Sequence, residues 1–183
     1  MAARLRQKLG MVKCISAVEE EIMSISRRIR EYLDTNDVQY EWLPHPQAYT
    51  AQEVAHSLHL SGKRLAKTVV LDVDGSQVMA ILPAALRLSL YRFREATQGQ
   101  HVEMLAESEL AKLFPDCDLG AIPPFGNLYG MNVWIDNSLA KSEEIVFTAG
   151  THRDAIRMRY SDFSALVNPL VGSFAEMAAA AAA

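Results

Sequence analysis

Leu65-Ala66-Lys67-Thr68-Val69-Val70-Leu71-Asp72-Val73, followed by Asp74-Gly75 and then Gln77-Val78-Met79-Ala80-Ile81-Leu82-Pro83, reads as a β-hairpin. Two β-branched, aliphatic runs flank a two-residue turn of the Asp-Gly type, the pair that most readily takes the positive backbone angles of a tight hairpin. Side chains at i and i+2 share a strand face, so Leu65, Lys67, Val69, Leu71 and Val73 point one way. Lys67 is the single charge among four large aliphatics. An ammonium taken out of water is costly unless it is paired or opens onto a polar cavity. Two readings follow: a strand-end lysine whose head snorkels to solvent, or a lysine lining a substrate cavity.

Outward from the hairpin, the chain alternates short helices and strands without a regular βαβ rhythm. Ser16 and Glu19 form a capping box, and Ile22, Ile25, Ile29 and Leu33 recur at helical spacing, with Arg27, Arg28 and Arg30 mostly off that stripe. Gln39-Tyr40-Glu41-Trp42-Leu43 is a short strand stopped by Pro44-His45-Pro46. Thr50 and Glu53 make a second capping box, opening a helix through about Leu58 that Gly62 is expected to close. Further on, helices are expected over 89–97 and 107–114 and strands over 101–104, 131–136, 145–148 and 155–159. A long irregular loop spans 115–127, and a short final helix starts at Tyr160. Hairpins with interspersed helices favour an α+β fold with a mixed, mostly antiparallel, barrel-like sheet flanked by helices. No linker, repeat or break in composition divides the chain. One domain over 11–177 is expected, with 1–10 as an N-terminal extension and the six alanines of 178–183 as an appended tail.

The chain has 183 residues, half of them hydrophobic, 22% charged, with a net charge of −4. That balance suits a globular protein with a sizeable core and argues against broad, sequence-independent coating of nucleic acid. A grip on one RNA end needs only a local basic patch. No apolar run approaches the roughly 20 residues that span a bilayer. The basic first ten residues lack the long apolar stretch of a secretory signal. Cys14 and Cys117 are too few for a disulfide framework, so a reduced, cytoplasmic setting is expected.

Two loops stand out for chemistry. In Asp118-Leu119-Gly120-Ala121-Ile122-Pro123-Pro124-Phe125-Gly126, prolines stiffen a backbone whose glycines permit sharp turns or close approach to a ligand. Such a loop holds backbone N–H groups in a fixed array able to grip an oxyanion or carbonyl, or serves simply as a rigid turn. In Thr148-Ala149-Gly150-Thr151-His152-Arg153-Asp154, a glycine turn between strands brings a hydroxyl, an imidazole and a guanidinium together. Other motifs fall short. Ser61-Gly62-Lys63-Arg64 lacks the first glycine and the closing Ser/Thr of a phosphate-binding loop. It more readily caps a helix and offers charge to RNA. His56 and His59, with His45 nearby, lack the Cys or His/Glu partners of a metal site. Cys117 has only aspartates beside it, which do not activate a thiol. Trp42 and Trp134 are expected in the core. No cofactor is called for.

The ordered set of His45-Pro46, Tyr49-Thr50-Ala51, Ala66-Lys67-Thr68-Val69-Val70-Leu71, Ala80-Ile81-Leu82-Pro83, Gly120 through Gly126, Val133-Trp134-Ile135-Asp136 and Phe147-Thr148-Ala149-Gly150-Thr151-His152 resembles the YbaK/prolyl-tRNA editing domain family. These are trans-editing aminoacyl-tRNA deacylases related to the insertion domain of bacterial prolyl-tRNA synthetase. The resemblance implies hydrolysis of the ester that joins a wrong amino acid to the 3′ end of tRNA. It makes Lys67 the key active-site residue, and has Gly120, Ala121, Ile122, Pro123 and Pro124 line the aminoacyl pocket. Thr50, Phe125, Gly150, Thr151 and His152 are expected to contact substrate alongside them. The implied partner is the 3′ end of an aminoacyl-tRNA, with an aminoacyl-tRNA synthetase as a further candidate. The competing reading is a non-catalytic module that binds aminoacyl-tRNA ends or a related adenylate.

Overall fold

The computed structural model describes residues 26–177. The hairpin is built from β2 (Leu65–Val73) and β3 (Ser76–Pro83), antiparallel and in register from Ala66↔Pro83 to Val73↔Ser76. Asp74 and Gly75 both have positive φ, 53° and 83°, as a two-residue hairpin turn demands. The Asp72 carboxylate accepts the Gly75 N–H at 2.7 Å and tightens the turn.

Strands β1 (Tyr40–Pro44), β5 (Val102–Met104), β6 (Asn132–Asp136), β7 (Glu144–Thr148), β8 (Asp154–Arg159) and β9 (Leu170–Gly172) complete the main sheet around this pair. Its order is β1-β8-β7-β2-β3-β6-β9, with β5 also on β2. Strand β4 (Leu86–Leu88) pairs with β10 (Ala175–Met177) in a separate antiparallel ribbon. Within the main sheet four of the described pairings are antiparallel and three are parallel (β2 with β7, β3 with β6, β6 with β9), so it is mixed with an antiparallel majority, as expected. The expected strands are present. Three-residue strands β4, β9 and β10 were not anticipated, since so short a run shows no alternation and each pairs with a distant partner.

The helices are α1 (Arg27–Thr35), α2 (Ala51–Ser57), α3 (Leu90–Thr97), α4 (Glu107–Leu113), α5 (Asn137–Ala140) and α6 (Tyr160–Val167). Ile29 and Leu33, one turn apart, bury the inner face of α1. The Ser16/Glu19 capping box and Ile22 and Ile25 lie outside the described residues. Helix α2 opens on the expected capping box: Thr50 Oγ1 accepts the Glu53 N–H, and Glu53 accepts the Thr50 N–H. Its end differs from expectation. His59, at φ 53°, takes the left-handed position, and the Leu60 N–H reaches the Ala55 carbonyl at 2.8 Å. Gly62 lies beyond the helix. It serves close approach instead, because a Cβ there would sit 3.1 Å from that of Ala85.

One face of the sheet carries the main core, under α1 and α6. Phe125 packs edge-on against Phe147 and Phe163, with ring centroids 5.5 and 5.6 Å apart, and Ala66 and Val70 reach it from β2. The other face carries two smaller clusters. Leu65, Val146 and Ala155 pack with Val54 and Ala55 of α2. Leu71, Val78, Ala80 and Leu82 pack with Phe93 of α3 and with Phe174. Lys67 lies on this second face, between Leu65 of the first cluster and Val69 of the second. Trp134 joins the second cluster and Trp42 flanks the main core, both partly buried.

Candidate active site at a split in the sheet

Two strands share one edge of β2. β7 pairs in parallel with its first residues, Leu65↔Val146 and Ala66↔Phe147. β5 pairs with its last, Leu71↔Met104 to Val73↔Val102, and the Leu105 N–H adds one bond to the Val70 carbonyl. Among the described residues no ladder pairing covers Lys67, Thr68 and Val69 on that edge. The sheet therefore splits beside Lys67, where β7 leaves and turns at Gly150. Thr148, the next residue of β7 on the Val146 face, follows the last residue of β7 that pairs with β2.

Lys67 is half-buried, and burial holds its ammonium below the ordinary lysine value. Among the described residues no carboxylate lies within ion-pair distance of it and no hydrogen bond engages it. An unpaired, partly desolvated cation between two apolar clusters makes Lys67 the candidate for contact with a ligand's oxygen.

Backbone hydrogen bonds knit the two loops together at the end of the split. The Gly150 N–H donates to the Ala121 carbonyl (3.0 Å), and the Asp118 N–H donates to the Gly150 carbonyl (2.8 Å). The His152 N–H donates to Asp118 Oδ2 at 3.1 Å. Gly150 has φ 94° and its missing Cβ would stand 2.7 Å from Ser26 Cβ, so only glycine fits this crossing. Gly120, at φ 88°, packs against the Tyr49 carbonyl and the His152 ring. The Ala48 N–H reaches the His152 carbonyl at 3.0 Å, which brings in the start of α2. Gly120, Ala121, Gly150 and His152 are thus held together, next to the Ala48–Tyr49 segment that leads into Thr50 and α2.

Other expected contacts sit differently. Ile122, Pro123, Pro124 and Phe125 are buried, and Phe125 is 0% exposed at the centre of the aromatic core. The Ile122 and Phe125 side chains therefore pack into the core behind the loop and stiffen it. The Thr151 hydroxyl donates to Asp154 Oδ2 and accepts the Arg153 N–H, while that of Thr50 serves the cap of α2. Both hydroxyls are structurally committed.

Sequence reasoning missed the bracket behind the loops. Ser26 Oγ donates to Asp116 Oδ2 at 2.8 Å, Tyr129 Oη reaches both Asp116 oxygens at 3.2 Å, and the Arg28 guanidinium lies 4.7 Å from the Tyr129 ring centroid. Trp42 Nε1 donates to Asp154 Oδ1 at 2.7 Å and fixes the far side of the turn. No local motif announces partners 90 residues apart. His45 is 8% exposed; its Nδ1 lies 2.8 Å from the Pro46 carbonyl, and its Nε2 is buried without a hydrogen-bond partner. Burial pushes the Cys117 thiol up to about 11, which removes it as a thiolate nucleophile near neutrality. Among the described residues no three His, Cys, Asp or Glu side chains are grouped to hold a metal ion, and no helix is long and apolar enough to cross a membrane.

Comparison with known proteins gives this geometry a context. The uncharacterized protein YwhH of Bacillus subtilis (strain 168) is 24% identical over 115 residues, 63% of this chain and 73% of its own length. Among solved structures, hypothetical protein APE2540 superposes with a TM-score of 0.75 at 16% identity, covering 82% of this chain and all of its own. A "putative trans-editing enzyme for prolyl tRNA synthetase" superposes at 0.72 with 21% identity, covering 82% of this chain and 96% of its own. At such identities the structural likeness is one of fold. The sequence model of the aminoacyl-tRNA editing domain matches residues 45–166, from His45 through the hairpin, both loops and most of α6, and the chain belongs to that family.

Proposed function

We propose that this protein hydrolyses the ester bond of mischarged aminoacyl-tRNA, acting in trans on a small amino acid such as alanine or cysteine carried by tRNA(Pro). The observation that carries the reading is the unpaired, half-buried Lys67 beside the split in the sheet. Its ammonium would hold the ester carbonyl or the terminal ribose oxygens and favour the negative charge that develops during attack. The Ala121 N–H is bonded to the Asp118 carbonyl (3.0 Å) and the Ala121 carbonyl accepts the Gly150 N–H, so in this scheme it is Gly120, held rigid by them, that offers backbone groups to the substrate. Membership of the editing family supports the substrate class.

Water is the nucleophile in this scheme. The carbonyl carbon gains a bond to the water oxygen, the ester bond to the ribose oxygen breaks, and the water's proton passes to that leaving oxygen. Cys117 does not compete, since burial keeps it a thiol. The substrate's own 2′-hydroxyl is available to orient the water. Selection among amino acids would be steric, because a single methylene is worth only about 1–3 kcal/mol in a hydrophobic pocket. The buried Pro123-Pro124 backing suits such a stiff wall.

The test is deacylation of Ala-, Cys-, Ser- and Pro-charged tRNA(Pro) with Lys67→Ala in parallel. Lysine-dependent release of one small amino acid is expected. Binding of every charged tRNA without release of any amino acid would replace this reading with that of a non-catalytic binding module.

A further inference from the structure

Tyr49 is 63% exposed, yet it is held at its backbone, its hydroxyl and its ring. Its N–H donates to Glu53 Oε2 at 2.9 Å, within the capping box of α2. Its hydroxyl accepts the Gln47 amide at 2.8 Å. One face lies against the His152 imidazole, with ring centroids 4.8 Å apart and planes inclined at 57°. The imidazole is itself anchored, since the His152 N–H is bound to Asp118 and its carbonyl to the Ala48 N–H. Gly120 leaves room beside the Tyr49 backbone and the His152 ring, for a Cβ there would meet the Tyr49 carbonyl at 3.4 Å and His152 Cε1 at 3.7 Å. Leu119, 39% exposed, continues the apolar surface, and exposed Arg153 donates to Gln47 Oε1 at 3.2 Å.

An aromatic ring left in water is ordinary where it swings freely. A ring fixed at its backbone, its tip and one face, with the other face open, has already lost its rotamer freedom and so costs little further entropy on binding. Flat π-faced ligands stack on such a surface, and proteins that hold single-stranded RNA ends use aromatic side chains beside an arginine for this purpose. Gly150, bonded to Ala121 and Asp118 beside this surface, lies two residues past the end of β7, the strand that pairs with β2 up to Ala66, the residue before Lys67.

We infer that Tyr49, backed by His152, is the stacking platform for the base of the 3′-terminal nucleotide, with Arg153 beside it to meet the phosphate that precedes that base. The inference rests on the aminoacyl-tRNA reading above and adds to it a subsite and a ligand group. Stacking contributes about 1–3 kcal/mol per base by alanine substitution, so removing the ring weakens RNA binding about tenfold. Because the base has the same contact in ground and transition states, the loss falls on KM more than on kcat.

The experiment uses uncharged tRNA(Pro) whose 3′-terminal adenine is replaced by 2-aminopurine, whose fluorescence falls on stacking. Binding to the full chain is expected to quench it. Tyr49→Ala is expected to abolish the quench and raise Kd about tenfold. Tyr49→Phe, which keeps the ring and loses only the Gln47 bond, is expected to retain both within about twofold; thermal melts of both variants verify folding. Unchanged emission on binding, or a Tyr49→Ala variant that quenches like the parent, overturns the platform. Deacylation of Ala- and Cys-charged tRNA(Pro) by the same protein variants, run in parallel, separates the two claims. Hydrolysis without a Tyr49-dependent quench defeats the platform alone, and the quench without hydrolysis defeats the enzymatic reading alone. Failure of the tRNA to bind defeats both.

Discussion

Lys67 and Asp136 are both charged residues in the sheet, and the protein treats them in opposite ways. Asp136, at the end of β6, is 4% exposed. Burial by itself would raise its carboxyl, but hydrogen bonds from the Ser138 hydroxyl and N–H and from the N–H groups of Ala175 and Phe174 outweigh it and hold the group below its ordinary value. That carboxylate caps α5 and pins the segment bearing Phe174 and β10 to the sheet. Lys67 lost part of its hydration too and received nothing from the described residues in exchange. A buried charge with four donors is a fastener. A half-buried charge with no counterpart leaves its interaction open for something that is not part of the chain.

The contrast breaks most sharply at Lys67→Ala. If its ammonium stabilises the transition state, kcat should fall by about 10²–10³, the cost of losing one preorganised charge-stabilising donor, equivalent to about 3–4 kcal/mol. The thermal midpoint should hardly change, because no partner is orphaned. Single-turnover deacylation and a melting curve on the same sample read both. An unchanged rate would reduce Lys67 to a snorkelling surface residue.

Asp136→Asn should show the reverse pattern. Four donors would then compete for one amide oxygen, with the amide N–H₂ turned toward other N–H groups. Losing charge-assisted bonds at a buried site costs about 2–3 kcal/mol, or roughly 5–10 °C in Tm for a domain of this size. Hydrolysis by the folded fraction should remain near that of the parent. The pH dependence has a definite sign. Asp136 is depressed in the folded protein, so its contribution is complete above the unfolded value of 3.8 and disappears as pH falls through the lower folded value. The stability gap between parent and Asn variant should therefore be constant from pH 7 to 5 and close below about 4. A gap that shows no narrowing as pH falls below about 4 would mean the carboxylate's charge is not what matters.

The same two residues mark what the sequence makes legible. Lys67 betrays itself by alternation, because a charge in a run of i, i+2 aliphatics conflicts with its own pattern. The hairpin, the α2 capping box and most strands are equally local, and each is where local pattern puts it. Asp136 sends no such signal: it reads as the polar end of a strand, and its Phe174 and Ala175 partners lie nearly 40 residues on. The end of α2 shows a subtler failure. Gly62 is the natural closing residue, but His59 adopts the left-handed turn because the Leu60 N–H finds Ala55 one turn earlier. Within the site, the glycines of both loops were legible because their conformations are glycine's own. The split in the sheet was not, since it depends on where β7 and β5 each stop along β2.

The smallest effect is also the one that probes the comparison from the stability side. Lys67→Met keeps the length and apolar stem, and removes the charge from between Leu65, Val69 and Leu82. The folded-state value of Lys67 lies below the unfolded 10.5, so at neutral pH the folded protein carries the cost of a partly desolvated cation. Water reaches enough of the side chain to screen much of that cost, and relief of it should stabilise by less than about 1 kcal/mol, a rise in Tm of at most about 2–4 °C. The sign is the informative part. The advantage of the Met variant should shrink as pH rises from 7 toward 10, because the parent then sheds the proton in the folded state first. Thermal melts at pH 7 and 9.5 measure it. A Met variant less stable than the parent would mean that Lys67 has a stabilising partner after all, and that the charge is a second fastener, not one held open for substrate.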